Sequence, residues 1–125
     1  MARILIIEDD EQVRMLLSEC LSRAGYETVL AADGDEGIRS YRETPADLVI
    51  TDILMPRKDG VEAIRELKNE FSDSRIIAIT GVRGRFSRLP AAEVLGAVRT
   101  FTKPFNLDEM VQAVGEILGV EDPSI

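Results

Sequence analysis

The chain has no histidine. That removes the commonest general base and the commonest metal ligand, so any chemistry must rest on carboxylates, hydroxyls and lysine. Cys20 is the single cysteine; no disulfide can form within the chain, and a reducing compartment is expected. No apolar run reaches the length of a membrane span. Met1-Ala2-Arg3-Ile4 leads straight into a short apolar run with no cleavage-site pattern after it, so no signal peptide is expected and the cytoplasm is the default location. Basic charge is in deficit: 15 lysines and arginines face 23 acids, for a formal net charge of -8. Phosphate backbones want a basic face, which argues against direct nucleic-acid binding. Arg83, Arg85 and Arg88 form one local basic cluster, read foremost as an exposed, solvated loop.

What is present is enough for one domain. A chain of 125 residues can bury a core without disulfides or a structural metal. The expected domain covers residues 1–120, with 121–125 as a tail too short to carry an output domain. Short β-branched runs alternate with longer amphipathic ones. Ile4-Leu5-Ile6-Ile7, Thr28-Val29-Leu30-Ala31, Leu48-Val49-Ile50, Ile76-Ile77-Ala78-Ile79 and Thr100-Phe101-Thr102 read as strands. Val13, Leu16, Leu17, Cys20, Leu21 and Ala24 recur at helical spacing, with Gly25 as the stop. Further helices are expected over 33–43 (weakened by Gly34 and Gly37), after the Asp59-Gly60 turn, within 87–95, and from Leu107 onward with Asn106 as N-cap.

Five strand-then-helix units imply an α/β fold: a doubly wound, five-stranded parallel sheet with five helices on its two faces. The first, third and fourth strands are the most apolar, so the second and fifth belong at the edges. That gives the flavodoxin-like order 2-1-3-4-5.

In such sheets ligands sit outside the carboxyl ends of the strands. Glu8, Asp9 and Asp10 follow the first strand, Thr51 and Asp52 the third, Thr80 and Gly81 the fourth, and Lys103 and Pro104 the fifth. Each has an ordinary reading alone. Acids after a strand serve as helix caps, the expected role of Asp10; Thr-Gly is a turn; a lysine before proline is solvated; Phe101 and Phe105 are core. Their joint placement reverses these readings. Clustered carboxylates repel unless a cation neutralises them, and an all-oxygen donor set suits Mg²⁺. A carboxylate can attack phosphorus, while a lysine and a threonine hydroxyl can hold phosphoryl oxygens.

With these residues the chain resembles the response-regulator receiver domain of two-component signalling. The stretches that carry the resemblance are Ile4 to Asp9, Thr51-Asp52-Ile53-Leu54-Met55-Pro56 with Asp59-Gly60, Ile79-Thr80-Gly81, and Thr102-Lys103-Pro104-Phe105. The resemblance implies Asp52 as phosphoacceptor, Thr80 as switch hydroxyl and Lys103 as the phosphate-pairing lysine. It implies Mg²⁺ held by Asp9 directly, Glu8 through water, Asp52, and the backbone carbonyl of Leu54. It implies a cis peptide before Pro104. The phosphodonor would be a phosphohistidine on a sensor histidine kinase or histidine phosphotransfer protein, or a small donor such as acetyl phosphate. The downstream partner would read the face formed by the fourth helix, fifth strand and fifth helix, with the 83–88 loop as a candidate contact. The chain would not be an enzyme beyond self-catalysed phosphoryl transfer and slow autodephosphorylation.

Two positions depart from the family pattern. Thr100 stands where an aromatic switch residue is usual, three residues before the lysine. Leu54 and Val82 stand at the positions that tune hydrolysis, and neither can orient a water by hydrogen bonding; slow self-dephosphorylation is the expectation. Competing readings are an aspartyl-phosphate hydrolase, a nucleotide or flavin binder, and a receiver fold that signals without phosphate. The first wants a second acid where Leu54 stands, and the second a glycine-rich phosphate loop where the acids stand. The third is disfavoured by the complete set of candidate residues.

Overall fold

The structure, a computed structural model, describes residues 1–53, 60–80 and 96–119, with backbone alone at 60, 61 and 80. Along the described residues the elements are β1 (Arg3–Ile7), α1 (Glu11–Arg23), β2 (Glu27–Ala31), α2 (Gly34–Glu43), β3 (Leu48–Asp52), α3 (Gly60–Glu70), β4 (Ile76–Thr80), β5 (Arg99–Thr102) and α4 (Leu107–Leu118). The helix expected within 87–95, the arginine cluster, Gly81, Val82, residues 54–59 and the tail lie outside the described residues.

All four strand pairings are parallel, in the order β2-β1-β3-β4-β5. The ranking of strands by apolar content therefore located both edges. The second strand has one fully buried residue, Ala31, whereas every residue of β3 is buried. Side chains alternate between the two faces of a strand. Leu5, Ile7, Val49, Ile76 and Ala78 accordingly join Ile38, Ile64 and Leu67 beneath α2 and α3. Ile4, Ile6, Leu48, Ile50, Ile77 and Ile79 join Leu17, Leu21, Met110 and Val114 beneath α1 and α4. Full burial of one such side chain is worth about 1.5–3 kcal/mol, so these two layers dominate the stability of the fold.

The helix starts are fixed by caps. Asp10 accepts from the backbone N–H groups of Gln12 and Val13, as expected of it. Asn106 caps α4 by accepting from Glu109 N–H at 3.1 Å. Asp33 accepts from Glu36 N–H at 2.9 Å, while the Glu36 carboxylate reaches back to accept from Ala32 N–H at 3.1 Å. That reciprocal pair supports a helix whose two glycines disfavour it. Gly37 has a packing reason: a Cβ there would lie 2.4 Å from Ile7 Cδ1. Gly25, at φ 99°, turns the chain after α1 in the left-handed region that glycine tolerates. The Lys103–Pro104 peptide is cis, as the resemblance implied.

β3 is longer than its apolar run. It continues through Thr51 and Asp52 because β1 and β4 flank it there, with Ile7 opposite Thr51 and Ile79 opposite Asp52. The ladder carries two polar residues into a buried position, and both belong to the site.

Candidate functional site

The connection from β1 leads to β2 on one side of the sheet, and the connection from β3 leads to β4 on the other. The crevice between the carboxyl ends of β1 and β3 is thus the topological switch point, where open α/β sheets place their ligands. Glu8 and Asp9 follow β1, and Asp52 ends β3. Carboxylate oxygens of these three residues lie within 4.8 Å of one another. Glu8 and Asp52 are 2 % and 4 % exposed, and Asp9 is open to solvent.

Lys103 reaches the crevice from the end of β5. Its ammonium donates to Asp52 Oδ2 at 2.7 Å and to Glu8 Oε1. Burial works to lower the Lys103 pKa, but pairing with Asp52 and Glu8 outweighs it and leaves the lysine above its ordinary value. One ammonium faces three acids. Burial pushes the Glu8 carboxyl up from 4.5 to about 8; a hydrogen bond shared with Asp52 and repulsion by its charge add to the rise, against the pull of Lys103. Among the described residues Glu8 Oε2 is buried without a hydrogen-bond partner. A buried acceptor left unmatched is expensive, and a cation in the crevice would satisfy it. The all-oxygen donor set, with one exposed acid open to water, fits a hard cation such as Mg²⁺.

The remaining expected residues stand as follows. Thr80 ends β4 with its backbone in register with Thr102, and its neighbour Ile79 lies opposite Asp52. The strand therefore delivers residue 80 to the same end of the sheet; its hydroxyl lies outside the described side chains. Leu54, with its carbonyl, lies outside the described residues. Thr100 is half-buried on β5. Phe101 is buried and Phe105 partly so, their rings 6.2 Å apart, which is the core role expected of them. Two contacts were missed. The Thr51 hydroxyl, fully buried, donates to the Asp52 carbonyl at 3.0 Å. The Arg14 guanidinium donates to the Glu8 carbonyl at 2.7 Å. The sequence cues to Arg14, its spacing of four from Asp10 and three from Glu11, point instead to a surface ion pair.

A doubly wound parallel sheet with buried acids and a lysine at its switch point defines a class: an α/β protein built to meet a cation and an anionic group there. Comparison narrows the class. The chain belongs to the response regulator receiver domain family, whose family model matches residues 4–115. It is 34 % identical over 116 residues to sporulation initiation phosphotransferase F of Bacillus subtilis, covering 93 % of each chain. It is 35 % identical over 117 residues to the chemotaxis protein CheY of the same organism, covering 93 % of this chain and 97 % of the other. It spans about half (48 %) of another relative, the transcriptional regulatory protein PhoP. Among solved structures it resembles the response regulator TrrA of Thermotoga maritima in complex with Mg²⁺-BeF, with a TM-score of 0.83, 34 % identity, and coverage of 94 % of this chain and 99 % of the other. The chain is a receiver domain of two-component response regulators, and Asp52 with its acidic neighbours Glu8 and Asp9 fits the phosphoacceptor site.

Proposed function

We propose that Asp52 accepts a phosphoryl group from a phosphohistidine on a sensor histidine kinase or phosphotransfer protein, or from acetyl phosphate, and that the acyl phosphate switches a partner-binding surface. The observation that carries this reading is the convergence of Lys103 on Asp52 and Glu8, with Glu8 Oε2 unmatched.

In the transfer an Asp52 oxygen bonds to phosphorus as the bond to the donor breaks and the donor leaves. Lys103 fixes the Asp52 carboxylate through Oδ2 and sets its positive charge beside an incoming phosphoryl group. Glu8, Asp9 and Asp52, with the Leu54 carbonyl, would hold Mg²⁺, which when bound neutralises charge on the phosphoryl oxygens. The Thr80 hydroxyl would donate to a phosphoryl oxygen, and its movement would start the change at the surface. That surface is the face around β5 and α4. With Thr100 in place of an aromatic, the readout runs through the backbone after Thr80 rather than through a rotating ring. Residues 1–120 act as the receiver unit, in the cytoplasm; among the described residues no helix is long and apolar enough to cross a membrane. The chain performs its own transfer and its own slow dephosphorylation and turns over no other substrate.

The test is mass spectrometry after incubation with acetyl phosphate and Mg²⁺. One phosphoryl adduct is expected, absent in Asp52→Asn and in EDTA; an adduct of equal yield in Asp52→Asn would refute the assignment. Leu54→Asn should speed decay of the adduct, because an amide there can orient the attacking water; an unchanged decay rate would remove the explanation of slow turnover.

A further inference from the structure

Four acids stand in succession after β1: Glu8, Asp9, Asp10 and Glu11. Arg14, six residues beyond Glu8, is the nearest cation in the sequence on that side. Among the described residues its side chain forms no ion pair with any of the four. Its guanidinium hydrogen-bonds a main-chain group instead, the Glu8 carbonyl, at 2.7 Å. The position is otherwise unfavourable. Arg14 lies in the opening turns of α1, where a positive charge opposes the helix dipole.

We propose that Arg14 is a positioning residue for the cation site, clamping the peptide between Glu8 and Asp9. The inference rests on the proposed Mg²⁺ site. The Glu8 N–H is already tied to the Ala31 carbonyl on β2, at 3.0 Å. Asp10, beyond Asp9, is fixed by capping α1 at Gln12 and Val13. Without Arg14 the Glu8 carbonyl is the loose point between those two anchors, and a rotation of that peptide plane swings both neighbouring side chains. With Arg14 the turn is held on three sides by β2, α1 and the cap. Glu8 is thereby directed into the crevice and Asp9 to its rim. Because the guanidinium spends its hydrogen bond on a carbonyl, it leaves the Glu8 and Asp9 carboxylates to a cation. Partners that orient metal ligands typically change affinity by about 10–100-fold when removed.

The experiment titrates Mg²⁺ into ¹⁵N-labelled wild type, Arg14→Met and Arg14→Lys, following the Asp9 and Asp52 amides, with urea unfolding in EDTA alongside. Arg14→Met keeps the aliphatic stem and removes the donor. Its Mg²⁺ dissociation constant should rise about tenfold with little change in metal-free stability, and Arg14→Lys should recover most of the loss. Equal affinity in Arg14→Met and wild type overturns the clamp, as does tighter binding, which would mean that Arg14 acts only by repelling the cation. If Arg14→Met does not fold, the wild-type protein decides: a scalar coupling across the hydrogen bond from Arg14 Nη to the Glu8 carbonyl carbon is expected, and its absence overturns the clamp. A wild-type chain that takes no Mg²⁺ refutes the proposed function and the clamp with it, whereas equal affinity in Arg14→Met refutes the clamp alone.

Discussion

Glu8 sits almost fully buried between an ammonium and a second carboxyl, with one oxygen unmatched. Burial and the neighbouring Asp52 carboxyl raise its pKa to about 8, so in the metal-free chain it holds a proton far more readily than an ordinary carboxylate. The proton and a cation compete for the same oxygens, so Mg²⁺ affinity should climb as pH rises toward 8 and then flatten. Calorimetry in buffers of different ionisation enthalpy at pH 7 should register proton release on binding; heats that do not depend on the buffer would contradict the assignment. The same shift links stability to pH. A carboxyl with a folded pKa above its unfolded value stabilises the fold fully below about 4.5, and that contribution is lost as pH rises through about 8. Glu8→Gln removes this pH dependence. The variant should unfold at higher urea than wild type at pH 8 in EDTA while its Mg²⁺ affinity falls about tenfold or more. That Glu8, Asp52 and Lys103 share one end of the sheet was legible in the sequence; the burial of Glu8 and the raised pKa that follows from it were not. Arg14 was invisible for a similar reason: its partner is a carbonyl, and a carbonyl has no letter.

At the scale of elements, α2 gives the sharpest conflict between local propensity and packing. Replacing Gly37 by alanine gains about 1 kcal/mol of helix propensity. The new Cβ would lie 2.4 Å from Ile7 Cδ1 and 2.6 Å from Cγ1, and Ile7 is itself fully buried. Overpacking of that kind costs about 1–3 kcal/mol. The clash should win, and Gly37→Ala should be destabilised by about 1 kcal/mol in urea unfolding; a stabilised variant would mean that Ile7 finds another rotamer freely. Asn106→Ala should lose about 1 kcal/mol by the same measurement, because the Glu109 N–H loses its acceptor. The helices were legible where cap and periodicity agree, as at Asn106 and α4. The purpose of Gly37 was not legible, because a glycine that disfavours a helix and a glycine that admits a neighbouring strand read alike. The extent of β3 was hidden too. Thr51 and Asp52 break the apolar run, and only the flanking ladders hold them in the strand.

Across the whole molecule, the sheet order makes the site. Placing β1 beside β3 sets Glu8 and Asp9 next to Asp52, and Lys103 arrives from an edge strand by the length of its side chain. That order was recoverable from which strands are most apolar, and the site from which residues follow them. The central claim is that these side chains form one cation and phosphoryl site around Asp52. Beryllofluoride with Mg²⁺, which mimics an aspartyl phosphate, tests it most directly when amide spectra of wild type and Asp52→Asn are compared. Wild type should shift at residues 8–10, at 52 and 53, and around Thr80 and Lys103, with changes spreading along β5 and α4, and Asp52→Asn should not respond. An unresponsive wild type, or shifts that persist in Asp52→Asn, would contradict the account.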